Sequence, residues 1–398
     1  MFVRPMAVGL SLALALGGTA WGQNAPASGG AAAPVGAADP AAAFQQAVAD
    51  YKQAIRSIEK LRTEHQGASA ERQAQINSEL QTQIASTQAK VDAMLSSALE
   101  AFRAAPMADP EVTKLLVAAV EHQMVGRGAE GGGDDYEAAL PVIEALVDAG
   151  HERTELPLWG AFAAVVTNQF DLADKFAAVV EERKTLQTSP GTTEAAQDTF
   201  DNAIRYLKER DRFRARWEAE SKIQAQDAAA DNLPRVLLTT SKGDVVIELF
   251  EDQAPIATAN FLTLAKDGFY DGVVFHRVLP RFMAQGGDPT GTGSGGPGYA
   301  IACECARPDA RKHFRGTLSM AHAGRNTGGS QFFLCFVPTE HLDGRHTAFG
   351  RVVEGFGVLA DLNRVDPNGP SPPADKILSA KVLRDRGHSY SFEKLPGR

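Results

Sequence analysis

"RVLLTTSKGDVVIELFEDQAPIATANFLTLAKDG", Arg235 to Gly268, is where the chain changes texture. "RVLLTT" and "DVVIELF" are β-branched and apolar, and "SKG" between them has turn chemistry, so the pair reads as a hairpin. "APIATANFLTLAKDG" (254–268) then reads as a helix with Pro255 in its first turn. Gly-rich loops and short apolar strands follow as far as "KILSAKVLRD", interrupted by a second, shorter helix at "EGFGVLADLNR" (354–364). Many strands with two helices suit a closed antiparallel β-barrel with a helix over each end.

Working outward toward the N-terminus, residues 41–231 have a different character. Ala, Gln, Glu, Lys and Leu dominate, as good helix formers do. "FQQAVADYKQAIRSIEKLR" places Phe44, Val48, Tyr51, Ile55, Ile58 and Leu61 three and four apart, an amphipathic helix. "INSELQTQIASTQAKVDAMLSSALEAF" repeats the pattern with Ile76, Leu80, Ile84, Val91, Leu95 and Leu99. Further helices are expected at 110–123, 136–149, 157–168, 170–186 and 194–229, punctuated by Gly150, Pro157 and "SPG" at 189–191. The stretch from Leu158 to Leu186 looks like one tetratricopeptide-type helical hairpin, with Ala161 and Ala164 small enough for close approach, but no second copy follows at a fixed period. "GRGAEGGGDD" (126–135) reads as a flexible loop; no strand precedes it, which argues against a nucleotide role. The fold class is therefore α + β and multidomain, an all-α region before a β-barrel.

A chain of 398 residues has room for two domains. Its net charge of −9 argues against nucleic acid as the main partner. From Pro234 onward there are 19 Lys+Arg and 17 Asp+Glu, a net of +2, which leaves 21 and 32, a net of −11, for the remainder. Modules of different electrostatics fit the change in texture.

The start reads as a signal peptide over 1–22. Arg4 supplies the positive end, Met6 to Leu16 the apolar stretch, and Ala20 with Gly22 a small-x-small cleavage site before Gln23. About eleven apolar residues are too few to span a bilayer. Residues 23–40, rich in Ala, Gly and Pro, read as a disordered linker. These features predict an exported protein, periplasmic or secreted, with no membrane insertion after cleavage. Cys303, Cys305 and Cys335 are too few for a disulfide framework, although one bridge would be possible in an oxidising compartment. In a strand, Cys303 and Cys305 of "ACECARPDARKHF" (302–314) would share a face, with His313 nearby. A redox pair, a metal site short of a fourth ligand and two free thiols in a variable loop are the readings open there, and two free thiols in a loop is the one retained. No cofactor is called for, and no metal.

"FHRVLPRFMAQGGD" (275–288) holds the chemistry. It crowds an arginine, a phenylalanine, a methionine and a glutamine together, which suits a surface that grips an apolar peptide and offers one directed hydrogen bond. Together with "APIATANFLTLAKDGFYDGVVFHRV" (254–278), "RFMAQGGDPTGTGSGGPGY" (281–299), "RGTLSMAHAGRNTGGSQFFL" (315–334) and "HLDGRHTAFGRVVEG" (341–355), it resembles the cyclophilin-type peptidyl-prolyl cis-trans isomerases. The resemblance covers 235–388 and leaves the helical region outside it. It implies a domain at 232–390, with 391–398 as a tail, and Pro-containing polypeptides as substrates.

By that resemblance Arg277, Phe282 and Gln285 fall at catalytic positions. Arg277 would aim a permanent cation at the prolyl nitrogen. Phe282, Met283, Phe333 and Leu342 would form the proline pocket, with His346 as its far wall, and Gln285 would bond the substrate backbone and help to place Arg277. Ala321 and Gln331 match the peptide groove, and His276 is read as structural or orienting. "GTGSGGPG" is a surface loop in the family. Two positions depart from the family pattern. His341 stands where many members carry a tryptophan associated with cyclosporin binding, which implies weaker cyclosporin binding with catalysis retained. His322 replaces an asparagine beside the groove and reads either as pH-sensitive or as a tolerated polar exchange. The activity implied is rotation about X-Pro bonds in exported clients, assisting their folding. The competing reading is a non-catalytic module that grips Pro-peptides while the helical region acts as chaperone or scaffold, binds a partner or self-associates.

Overall fold

The computed structural model describes residues 39–126, 131–184 and 193–397. The signal segment and all but the last two residues of the linker lie outside them. Two compact units emerge: residues up to His122 with Pro141–Glu152, and Gln123–Leu140 with Arg153 onward. The sequence places its division near 231, so this partition is different. The helices between residues 155 and 230 belong with the sheet.

In the first unit a long hairpin is built from α1 (Pro40–Gly67) and α2 (Ala70–Ala104). The Asp39 side chain accepts from the Ala41 amide and Pro40 opens α1, while Ser69 caps α2 by accepting from the Arg72 amide. The buried seam of α1 is Phe44, Val48, Tyr51, Ala54 and Ile58, the three- and four-residue spacing of an amphipathic helix. It continues in α2 as Ile76, Leu80, Val91, Met94, Ala98 and Phe102. Helices α3 (Pro110–Val125) and α4 (Tyr136–Asp148) follow.

The second unit opens with α5 (Glu155–Val166), buried along its entire length, and α6 (Phe170–Arg183), which form the helical hairpin read around Ala161 and Ala164. The single helix expected over 194–229 is instead two, α7 (Glu194–Lys208) and α8 (Arg210–Ala230), separated at Glu209. The break brings Tyr206 and Phe213 into a parallel stack, with centroids 4.9 Å apart and planes at 6°.

The sheet comprises β1 (Arg235–Thr240), β2 (Gly243–Leu249), β3 (Arg277–Leu279), β4 (Met283–Gly286), β6 (Thr317–Met320), β7 (Phe332–Cys335), β8 (Ala348–Glu354) and β9 (Ile377–Arg384), with β5 (Tyr299–Ala300) and β10 (Leu395–Pro396) paired apart from it. Its order is β3-β4-β7-β6-β8-β2-β1-β9, antiparallel throughout. The ladder itself runs open from β3 to β9. Across that seam the amides of Gly272 and Phe275 donate to Ile377 and Asp375 carbonyls at 2.8 and 2.9 Å, and the Ile377 amide donates to Val273 at 2.8 Å. Helix α9 (Pro255–Lys266) drives Phe261 into the sheet's core, where it meets Tyr270, Phe332 and Phe349 with centroids 5.0, 5.5 and 5.6 Å away. Helix α10 (Phe356–Asp361) is the second, shorter helix. Gly350 in β8 lies so close to β2 that a Cβ there would be 2.7 Å from the Glu248 carbonyl oxygen, so only glycine fits.

Two loop expectations are corrected, and the loop reading of Cys303 and Cys305 holds. Residues 131–135 do not behave as a flexible loop: Asp134 is buried, and its side chain accepts from Tyr136, Arg281 and Arg364. Cys303 and Cys305 lie outside any strand; the Cys303 amide donates to Asn326 at 2.8 Å, and all three cysteines are free thiols. The segment after 390 is no loose tail, because Leu395 and Pro396 pair with Ala300 and Tyr299.

Candidate functional site

Strand alternation builds the site. In β4 and β7, Ala284, Phe332 and Leu334 face the main core. Their neighbours Met283, Phe333 and Cys335 point the other way and form a separate apolar cluster with Ala321, edged by Leu279, Phe282 and Leu342. The register sets Arg277 opposite Gln285, and Gln285 opposite Phe333. An arginine, a glutamine and an apolar patch spread from residue 277 to residue 342 are thus brought onto one face of three adjacent strands.

The cluster opens into a groove of about 730 Å³. Arg277, Phe282, Met283, Gln285, Ala321, His322, Gln331, Phe333, Leu342 and His346 all line it. Two of the expected residues do not. His341 is exposed, its ring stacked on Phe282 at 5.8 Å. His276 is buried beside the Gly293 loop with neither ring nitrogen hydrogen-bonded, in keeping with a structural part.

Arg277 is half-buried, and its guanidinium lies 5.6 Å from the Phe282 ring centre. Among the described residues it forms no ion pair, in a domain where the arginines at 281, 311, 315, 351, 364, 384 and 386 all do. The amide of Gln285 donates to the Gln331 side chain at 3.0 Å. Gln331 in turn donates to the Gly293 and Gly295 carbonyls at 3.0 and 2.9 Å. That chain ties the strand bearing Arg277's partner to the glycine loop. Asp288 holds the loop from below: burial works to raise its pKa, but bonds from the Gly295 amide and from the Thr290 hydroxyl and amide outweigh this and hold it at about 2.

At the other wall the His346 and His322 rings stack, centroids 4.1 Å apart. His346 donates from Nδ1 to the Met320 carbonyl at 2.9 Å. His322 accepts the Gly324 amide on Nδ1 and bonds the Arg345 carbonyl through Nε2. Burial depresses the pKa of His346 below the usual imidazole value, and those of His276 and His313 likewise. A depressed histidine stabilises the fold fully above the unfolded value, and that contribution is lost as pH falls through it. Lowering pH from 7.5 to 6 should therefore reduce unfolding free energy by about 1 kcal/mol, read from urea midpoints. Asp135, which burial pushes up to about 6, acts in the opposite sense mainly below pH 6, where the test stops; His388, raised by the Ser389 carbonyl and Glu251, opposes within the interval but is exposed, and solvent screens it. A midpoint that is flat or rising over this interval would refute the assignment.

Several groove residues are not legible in the motifs. The glycine run at Gly293–Gly298, read as surface, is one wall, and Pro396 and Gly397 of the C-terminal segment are part of the same lining. Pairing of β10 with β5 brings them there, supported by Phe392 against Tyr299 at 6.0 Å and by Lys394 over the Tyr299 ring at 4.4 Å. Nothing in "FEKLPG" announces that pairing.

A family model described as cyclophilin type peptidyl-prolyl cis-trans isomerase/CLD matches residues 235–382. A peptidyl-prolyl cis-trans isomerase of Synechococcus elongatus is 51% identical over 155 residues, 38% of this chain and 99% of that protein. The chain belongs to the cyclophilin-type peptidyl-prolyl cis-trans isomerases. A Helicobacter pylori peptidyl-prolyl cis-trans isomerase is 57% identical over 131 residues, 32% of this chain and 80% of that one. An Aspergillus fumigatus peptidyl-prolyl cis-trans isomerase-like 1 is 46% identical over 154 residues, 38% of this chain and 96% of that one. The match begins at β1 and ends within β9. It includes the strands that carry Arg277, Gln285 and Phe333 together with α9 and α10, and omits α1 to α8 and β10. Within the cyclophilin domain the departures at His322 and His341 are the stacked histidine of one wall and the exposed ring stacked on Phe282.

Proposed function

We propose that the groove seats an X-Pro segment of a polypeptide and that Arg277 drives its rotation. An amide resists rotation by about 18–20 kcal/mol because of its partial double bond. The X-Pro bond tolerates cis yet exchanges over tens to hundreds of seconds. An acceleration of ~10⁵ requires only about 7 kcal/mol, with no nucleophile and no proton relay. Met283, Phe333, Leu342 and Phe282 take the proline ring. The Arg277 guanidinium donates to the prolyl nitrogen as its lone pair leaves conjugation, which favours the twisted amide over both planar forms. Gln285 and Gln331 present polar groups to the flanking backbone. The observation that carries this reading is an arginine without a carboxylate partner among the described residues, beside an apolar cluster held apart from the core. NMR exchange on an Ala-Pro peptide, with the full chain and with Arg277→Ala, tests it; a full chain no faster than the variant would overturn it.

The seam bonds between residues 272–275 and 375–377 support reading the sheet as a closed barrel, with α9 and α10 as its end helices. We further infer that clients are met after export, where rotation assists folding. Residues 4–22 carry this reading. N-terminal sequencing of the mature protein should begin at Gln23, and recovery of an intact Met1 end would defeat it.

A further inference from the structure

Both rims of the proline pocket are tied to helices outside the family match. One rim is the β3–β4 turn. Arg281 there has φ 54°, which a non-glycine residue adopts only when held. Its amide donates to both oxygens of Asp134 at 3.0 and 3.1 Å, and its guanidinium reaches Asp198 and, at 3.2 Å, Thr199 of α7. The next residue is Phe282.

The other rim is the segment from Pro338 to Asp343, whose 3₁₀ turn Glu340–Leu342 carries Leu342 into the groove. Tyr206 of α7 donates to the Pro338 carbonyl at 3.1 Å. Arg216 of α8 donates to Glu340 at 2.8 Å and to Asp343 at 2.5 Å, and Arg212 pairs with Glu340 as well. Asp343 hands the constraint inward. Its other oxygen accepts the His313 amide and bonds its Nδ1, both at 2.9 Å; His313 reaches Ser319 at 2.9 Å and lies parallel to Phe333. The Arg216–Asp343 pair is largely shielded, with side chains 18% and 16% exposed, so its charges act at short range in a low dielectric.

We propose that α7 and α8 are a brace that positions the pocket, with Arg216 the positioning residue for Leu342 and Phe333, and Asp198 for Phe282. A three-residue 3₁₀ turn and a hairpin tip are the kinds of segment that open locally. A pocket must hold its groups to within about 0.5 Å. The brace gives the helical region a task inside the isomerase reaction, and it rests on the pocket reading above.

The test uses the full chain and an Ala-Pro peptide. Arg216→Met keeps the aliphatic stem and removes both charge-assisted bonds; KM should rise about 5- to 10-fold with kcat nearly constant. Arg216→Lys should recover at least half of that loss. Asp198→Ala, at an exposed carboxylate that does not threaten the fold, should raise KM about 2- to 3-fold. Asp174→Ala severs the bonds of Arg210 and Arg214 on α8 without touching either rim, and should leave KM unchanged. An inactive wild type would sink the pocket reading. An active wild type whose KM ignores Arg216→Met and Asp198→Ala, or shifts equally in Asp174→Ala, would sink the brace alone.

Discussion

Arg277→Ala should lower kcat/KM for an Ala-Pro peptide by about 10²- to 10³-fold, the loss of one preorganised donor worth about 2.7–4 kcal/mol in the transition state. In either planar ground state the prolyl nitrogen is conjugated and a poor acceptor, so the arginine gains little there. In the twisted state the lone pair is localised, and the charge-assisted bond forms at full strength. The loss should therefore fall on kcat far more than on KM. Stability should hardly move, because among the described residues Arg277 has no ion pair to lose, and its contact with Phe282 is worth about 0.5–1 kcal/mol. Arg277→Lys retains the charge but not the planar donor fork, and should recover only part of the rate. Peptide exchange by NMR, with thermal unfolding in parallel, separates the outcomes. A variant within three-fold of wild type would leave the groove as a binding surface and nothing more.

How much of this could be read from the sequence depends on the range of the interaction. The β1–β2 hairpin and α9 were legible from a local pattern: alternating β-branched residues around "SKG", and Pro255 ahead of an apolar run. The groove strands were legible for a different reason, since the motif spacing on "FHRVLPRFMAQGGD" reports a long-range register that no propensity contains. Where neither aid existed, the reading failed. Glu209 breaks a helix because Phe213 turns to stack on Tyr206, a tertiary gain invisible in a run of good helix formers. Pro396 reaches the groove through a two-residue pairing with a strand almost a hundred residues earlier. Arg216 and Asp343 are 127 positions apart, and nothing in either neighbourhood marks one as the other's partner. The flexible reading of "GGGDD" failed for the opposite reason: glycines permit mobility, but at 131–133 they supply positive φ and free carbonyls to a buried arginine.

That arginine sets the second large effect. Asp134→Ala should destabilise the unit by about 3–5 kcal/mol, the cost of stranding a buried charge. Asp134 has a fully buried carboxylate that accepts from the Tyr136 hydroxyl at 2.7 Å, from the Arg281 amide and from Arg364 at 3.1 Å. Arg364 is itself buried, donates to the Leu362, Gly132 and Gly133 carbonyls, and lies 5.0 Å from the Phe336 ring centre. Burial already draws its pKa below the ordinary arginine value, and Asp134 is the chief opposing influence. Without the carboxylate, carbonyl dipoles alone face the cation, a buried phenol loses its acceptor, and Arg281 loses the bond that holds its left-handed backbone. Asp134→Asn keeps the shape and tolerates the φ of 62°, so it isolates the charge and should cost less than alanine. The deciding variant is the double substitution Asp134→Ala with Arg364→Met. If the penalty is a stranded charge, removing that charge should restore at least half of the lost stability, a coupling far outside additivity. Urea unfolding of the four chains measures it. A single variant costing under about 1 kcal/mol, or a double variant no better than the single, would mean that the glycine loop is held by its backbone and not by this pair.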